Sequence, residues 1–557
     1  MILMDLKKTA TKSGKKLRLT MAEKLQSFEA NLARGMSQRR AANEVGIARG
    51  TLLDWKNRSE KIPLSKPTIG FFESPDGVIF IDRLVNALQF VMNQVGPCGI
   101  RLVSMVLRLS YLDYFVSSSY EPLRKRGVIM EEAIVSFGKE EKHRLSEGMP
   151  TKPISIVEDE TYHHGPCLVA MEPVSNFILL EKYYEKRDAA TWNAALDEAL
   201  AGLPVKVVQS TSDEARGIVN HVEQHLNAHH SPDIFHVQQD ITKGTSAAMS
   251  GKVRAAQQIV ETLENELKAR AVADKKSQRG RPSALSLKED DEIQSGLLAS
   301  KEKLTTLQSQ QLAIQEAKKG IGAVYDPYDL DTGAARSTEQ VQQGLLQNFD
   351  MIEQNASAAN LRETALDKIK KAKRACSGLV ATITFYWMMV NRLIESLSLS
   401  YKHEQLLRDT LIPAHYLMIA SKKAKTAAIR YQIKQKTEQL FACLKNNEIW
   451  SNKGQIEQGL LMNTAKECAQ LFQRSSSCLE GRNGYLSLRH HGLHYLSERK
   501  LGALTVIHNY FTTRSDHTTA AERLFGKKPR DLFEHITKTL SSVSRPALQA
   551  VAIRRAA

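Results

Sequence analysis

The chain has 557 residues, of which 42% are hydrophobic, so it is long enough for about three domains with sizeable cores. Its 77 Lys and Arg against 61 Asp and Glu give a net charge of +16 and a pI near 9.4, which favours a polyanionic partner: nucleic acid or an anionic membrane surface. The six cysteines (Cys98, Cys167, Cys376, Cys443, Cys468 and Cys478) are widely spaced and contain no C-x-x-C pair. That spacing argues against a disulfide scaffold or a Cys-rich zinc finger and fits a reducing cytoplasm. The longest apolar run, residues 379–390, is 12 residues long, whereas a membrane span needs about 20. No apolar core follows the basic N-terminal residues Lys7, Lys8, Lys12, Lys15 and Lys16, so no secretory signal is expected.

Residues 1–17 read as a basic arm. Three short helices are expected over residues 20–59. The first, MAEKLQSFEANLARG, has Thr20 and Glu23 at capping-box spacing and stops at Gly35. The second, SQRRAANEV, has Ser37 as N-cap; a turn at Gly46 and Ile47 leads into ARGTLLDWKNR. Ala41, Ala42, Val45, Ile47, Leu52 and Leu53 supply the packing positions, leaving Arg49, Thr51, Lys56, Asn57 and Arg58 on the outer face. That is the arrangement of a helix-turn-helix aimed at a DNA major groove, with a basic three-helix bundle as the plainer alternative. Residues 60–70 read as a proline-containing linker. Further helices then reach about residue 150, with Arg124, Lys125 and Arg126 available for phosphate contacts or simply part of a helical spacer.

From Pro153 the pattern becomes strands: ISIVEDE, CLVAM and FILLEKY at hairpin spacing, then a helix (AATWNAALDEALAG), VKVVQS, a helix (EARGIVNHVEQHL) and DIFHV. The order β-β-β-α-β-α-β is that of a ribonuclease-H-like core. Residues 243–470 read as helical. Val253, Ala256, Val260, Leu263 and Leu267 step 3-4-3-4, and Ile293, Leu297, Leu304, Leu307 and Ile314 repeat the seam, which predicts a long antiparallel helical hairpin. Its connection contains Arg279-Gly280-Arg281-Pro282, either an AT-hook core whose two Arg reach a minor groove or a basic loop. The expected fold is therefore α+β and multidomain: an N-terminal helix-turn-helix and a ribonuclease-H-like α/β core split by a large all-helical insertion. The boundaries are 1–62, 63–150, 151–242 (core, first part), 243–470 (insertion), 471–540 (core, last part) and 541–557 (tail).

The chemistry centres on Asp159, Asp213 and Glu480. Asp159 ends the first strand, Asp213 follows the fourth, and Glu480 lies near the start of a late helix. In the expected sheet these meet, and three carboxylates can hold two divalent metals about 4 Å apart, Mg²⁺ or Mn²⁺ being suited to hard oxygen ligands. Glu498 and Glu522 are rivals for the third acid. His221, His225 and His229 at i, i+4, i+8 are expected along one helix face, with zinc spacing but no adjacent Glu base or Cys. His236 is expected at a strand end, as a packed core residue or a support to the site. Arg482, Arg489, His490, His491, Arg499 and Lys500 are expected to neutralise phosphates near the Glu480 helix, or to be a solvated face. Trp192, Trp387 and Trp450 are expected in cores, and the run Gly526-Lys527-Lys528-Pro529-Arg530 in a surface loop.

The segments VEDETYHHGPCLVAMEPVSNFILLE around Asp159, VVQSTSDEARGI around Asp213, SPDIFHV, SSSCLEGRNGYLSLRHH around Glu480, and HNYFTTRSDHTTAAERLFG resemble a DDE transposase of a bacterial insertion sequence, in the retroviral-integrase-like superfamily. The resemblance covers most of the chain. It implies cleavage at transposon ends and strand transfer by one two-metal site, binding of double-stranded DNA as terminal repeats and as target, a homodimer or larger assembly on DNA, and a cytoplasmic, nucleoid-associated location. The chain departs from the family in its roughly 230-residue insert between the second and third acids and in Ser476 standing four residues before Glu480. Two rivals are kept: a nuclease that cuts without joining, and a DNA-binding regulator with an inactive core.

Overall fold

A computed structural model describes residues 21–59, 64–276, 284–493 and 495–543. In chain order, α1 (Met21–Ala33), α2 (Gln38–Val45) and α3 (Arg49–Ser59) precede α4 to α6 (between residues 66 and 109) and α7 (Tyr120–Ser146). The strands follow: β1 (Lys152–Tyr162), β2 (Pro166–Glu172), β3 (Phe177–Tyr183), then α8 (Ala189–Leu200), β4 (Val205–Ser212), α9 (Arg216–Asn220) with a π-helical turn (His221–His225), and β5 (His229–Pro232). Next come α10 (Ile234–Lys276), α11 (Ala284–Val324), α12 (Thr338–Ala358), α13 (Glu363–Arg374), α14 (Cys376–Ser396), α15 (Tyr401–Leu406), α16 (Ile412–Lys423), α17 (Ala427–Lys445), α18 (Glu448–Ser451) and α19 (Gln455–Gln470). The chain closes with α20 (Ser477–Leu493), α21 (Glu498–Tyr510), α22 (Ala520–Phe525) and α23 (Leu532–Thr539). The molecule is thus mostly helical with one mixed five-stranded sheet, an α+β multidomain protein. No helix of the described residues is long and apolar enough to cross a membrane.

The chain divides into two units, Met1–Glu147 with Ser487–Ala557, and Gly148–Leu486. Residues after 486, expected to complete the sheet-bearing core, therefore group with the N-terminal helices. In the first unit α1, α2 and α3 close around Leu25, Phe28, Ala41, Ala42 and Leu52. The Ser37 hydroxyl accepts from the Arg40 N–H to start α2, and Gly46 ends it at φ 70°, a left-handed conformation that glycine adopts without strain. Gly138 of α7 faces Val506 of α21 so closely that a Cβ would stand 2.4 Å from a Val506 methyl.

The second unit contains the sheet, in the order β3-β2-β1-β4-β5, with β1, β4 and β5 parallel and β1-β2-β3 antiparallel. Alternation along β1 sends Ile154, Ile156, Glu158 and Glu160 to one face and Ser155, Val157 and Asp159 to the other. On the first face Ile154, Ile156, Leu168, Ala170, Leu180 and Val207 bury against Trp192, Ala195 and Leu196 of α8 and Ile218 of α9. The Trp192 indole N–H donates to Glu160 at 3.2 Å.

The helices from α10 to α19 share one core of their own. Cross-contacts Gln238–Lys318, Ser250–Gln311, Glu264–Lys301 and Arg270–Glu289 show α10 and α11 to be an antiparallel hairpin, with Ala256, Val260, Leu307 and Ile314 buried along the expected seam. Helix α14 lies on β5: His229 stacks on Phe385 with ring centroids 4.7 Å apart, and its Nε2 is 3.2 Å from the Thr382 hydroxyl. A helix so placed covers the sheet edge that β5 would otherwise expose.

Two local expectations are corrected. The last strand is His229–Pro232, not DIFHV: Asp233 caps α10, its Oδ1 accepting from the Phe235 N–H at 2.7 Å, so 234–237 is the first turn of a helix. Consequently His221, His225 and His229 do not share a helix face; the first two lie on the π-helical turn and the third on β5. His236 likewise sits on α10 rather than at a strand end.

Candidate active site

The pairing of β1 with β4 places the first two acids. Val157 pairs with Thr211, so two residues further along these parallel strands Asp159 and Asp213 reach the same level on the same face. Ser212 pairs with Pro232, which brings Asp233 into the next position of that row. Asp213 and Asp233 thus directly follow β4 and β5, while Asp159, expected at the end of its strand, lies inside β1, which runs on to Tyr162 paired with β2 beyond the last β1–β4 pair. Asp233 is buried and saturated: besides capping α10, its Oδ2 accepts from the Ser476 N–H at 3.0 Å and the Ser476 hydroxyl at 2.5 Å.

That contact fixes the start of α20. The preceding segment runs along the strand ends, with the Thr211 hydroxyl donating to Gln473 O at 3.5 Å and Ile234 N–H donating to Arg474 O at 3.2 Å. The Arg474 side chain pairs with the buried Asp326 at 2.8 Å. Two further tethers lay α20 on the polar face: Arg482 grips Glu181 of β3 at 2.8 and 2.5 Å, and the Asn483 amide donates to Asp159 Oδ2 at 2.9 Å. Glu480, three residues before Asn483, is therefore on the turn next to the Asp159 contact, and its side chain is exposed.

Burial pushes the Asp159 carboxyl up to about 6; the charge of Asp213 adds to the rise, while the Glu160 N–H, His236 and Asn483 oppose it. The Glu480 carboxyl is also raised, by burial first and then by Asp233, with His236 opposing. His236 thus stands near both Asp159 and Glu480. Beside Asp213 a cleft of about 330 Å³ is lined by Glu214, Asp233, His236, Asp240, Lys243 and Lys371, with Lys371 paired to Asp240 at 2.8 Å.

The donors are carboxylate oxygens, which suit Mg²⁺ or Mn²⁺ in kind. Among the described residues, however, no three His, Cys, Asp or Glu side chains stand close enough to hold one ion. The arrangement is an in-register Asp159–Asp213 pair with Glu480 apart from it. The rivals Glu498 and Glu522 belong to the other unit, on α21 and α22.

Of the expected DNA contacts, Arg49 and Thr51 are exposed on α3 and Lys56 is half-buried. The side chains of Asn57 and Arg58, and all of Arg279 and Arg281, lie outside the described residues. Arg482 and Arg489 are buried, which is not where phosphate contacts need them: Arg482 is held by Glu181, and Arg489 donates to the carbonyls of Val95 and Gly96. Lys500 is buried against Gln94 and Glu131, and Arg499 pairs with Glu131 at 2.9 Å. In the earlier basic run Arg124 pairs with Glu121, and Arg126 holds Asn86 and Ser541 O. The role of Asp233 as anchor of α20 was missed, although an Asp directly before an apolar helical run is a capping signal.

A family model described as a family of unknown function, DUF6399, matches residues 407–552, a stretch that takes in α16 to α23 and Glu480. No curated protein and no solved structure matches the chain.

Proposed function

We propose that the chain is a DDE transposase: it binds transposon ends, hydrolyses a DNA phosphodiester and joins the freed 3′-hydroxyl to target DNA. The observation that carries this reading is the pairing of β1 with β4, which sets Asp159 and Asp213 at matching positions on one face, with α20, the helix of Glu480, tethered to Asp159 by Asn483. The strand order β3-β2-β1-β4-β5 with β2 antiparallel supports a ribonuclease-H-like core. The capped α2, the Gly46 turn and the exposed Arg49 and Thr51 support a helix-turn-helix for end recognition. Asp159 and Asp213, with Glu480 drawn in to join them, would hold Mg²⁺ or Mn²⁺, which when bound supplies charge neutralisation at the attacked phosphate. The chain's own part is to align the scissile strand against the two aspartates. On this reading the protein acts at the nucleoid, as a homodimer or larger assembly on duplex DNA.

The separation of Glu480 from the aspartate pair favours a second reading, a DNA-binding regulator without catalysis. Both are tested with purified protein, the gene's own flanking DNA and Mg²⁺ or Mn²⁺, scoring nicked and joined products for wild type, Asp213→Asn and Glu480→Gln. Cutting and joining that both substitutions abolish is the expected result. Cutting without joining makes the protein a nuclease, and tight binding without cutting makes it the regulator. Survival of Glu480→Gln removes Glu480 from the site.

A further inference from the structure

Between Asp409 and Glu438 the chain has six cations, Lys422, Lys423, Lys425, Arg430, Lys434 and Lys436, and no acid. They gather where α16 turns into α17: Lys422 and Lys423 end α16, Lys425 lies in the turn, and the others follow in the first three turns of α17. All but Lys436 are exposed. Lys434 pairs with Glu438 at 3.7 Å, while among the described residues no carboxylate pairs with Lys422, Lys425 or Arg430. The turn is also the amino end of a 19-residue helix, capped by the Thr426 hydroxyl accepting from the Ile429 N–H at 3.2 Å, so the helix dipole adds to the positive field.

We infer that the α16–α17 turn is a docking surface for the phosphate backbone of duplex DNA. Between the cations, Ala427, Ala428, Gln432 and Gln435 let a backbone approach and offer hydrogen bonds, beside the exposed Ile429 and Tyr431. The apolar side of α17, with Ile433 and Leu444, is already buried within the protein. A helix lying on a membrane would keep that apolar side free for lipid. The helical insertion thereby serves as part of the DNA path.

This inference rests on the reading of the chain as a DNA-acting protein. The test is fluorescence anisotropy of the full chain on a mixed-sequence duplex of about 30 base pairs between about 50 and 200 mM salt. It compares wild type, the triple variant Lys422→Gln/Lys425→Gln/Arg430→Gln, and a control with equal charge loss on the α10–α11 hairpin, Arg254→Gln/Lys268→Gln/Lys303→Gln. The turn variant is expected to lose about 2–3 from the slope of log K against log salt and to bind at least ~10-fold more weakly at the lowest salt, with the control close to wild type. An unchanged slope, or an equal loss in the control, overturns the inference while leaving the transposase reading intact. Failure of the wild type to bind any duplex removes both. Loss of binding to phosphatidylserine vesicles with duplex binding unchanged assigns the surface to a membrane and overturns it as well.

Discussion

The two faces of the sheet differ in what they do with their polar groups. On one, Ile154, Ile156, Leu168 and Val207 bury against α8 and α9, and even the acid there is absorbed: Glu158 accepts from Ser210 and faces His221 at 3.4 Å. On the other, Ser155, Gln209 and Ser231 form a hydrogen-bonded chain at 3.0 and 2.7 Å, on the face that also carries Asp159, Asp213 and Asp233. The apolar face holds the sheet together by burial. The polar face also buries Val157, Val169 and Met171, but its charged groups are set by specific tethers, which is how a protein keeps them in fixed positions.

The largest effect is expected from cutting the deepest tether. Arg482→Met removes the guanidinium from the buried Glu181 carboxylate and should cost about 3–5 kcal/mol in denaturant unfolding. Adding Glu181→Leu should restore most of that loss, because the uncompensated charge is gone. If the double variant is no more stable than the single, the ion pair is not what holds α20 to the sheet.

The contact that covers the polar face's edge should be acid-sensitive. Burial against α14 holds His229 down at about 4, below its ordinary 6.5. Between those values the unfolded chain binds a proton that the folded chain refuses, so the stability present above pH 6.5 is lost as pH falls toward 4. The loss is at most about 3 kcal/mol, less for the partly exposed ring. His229→Gln should flatten this part of the pH–stability curve, while a curve that keeps its slope would place the acid sensitivity elsewhere.

The division between the faces was partly legible in the sequence. The order of strands and helices through β4, and the place of Asp213 just after β4, follow from period-2 runs and their punctuation, whereas β1 runs three residues past Asp159. The last strand did not, because His229–Pro232 is four residues long and polar, gaining its burial from α14 more than a hundred residues later. Nor could any local pattern show that Arg482 serves Glu181, 301 residues away, rather than a phosphate. A long-range ion pair leaves no periodicity, so basic residues on an amphipathic helix read as solvated until the fold supplies their partners.

The smallest effects make the sharpest contrast, because Glu158 and Asp159 are neighbours pointing to opposite faces. The imidazole of His221 has Nδ1 at 2.6 Å from Asn193 Oδ1, where it donates, and turns Nε2 toward Glu158. A glutamine at 158 can accept from Ser210 and donate to that nitrogen, so Glu158→Gln should change stability by no more than about 1 kcal/mol and leave DNA cutting as it was. Asp159→Asn keeps the shape and the acceptor for Asn483, yet removes a carboxylate that is half-buried and faces Asp213. It should raise stability by up to about 1 kcal/mol while abolishing cutting, the sign expected where charge is kept at the expense of the fold. Thermal unfolding and the cleavage assay, run side by side on both variants, read the two faces separately. Loss of cutting with Glu158→Gln, or its survival with Asp159→Asn, would mean that the polar face is not the working one.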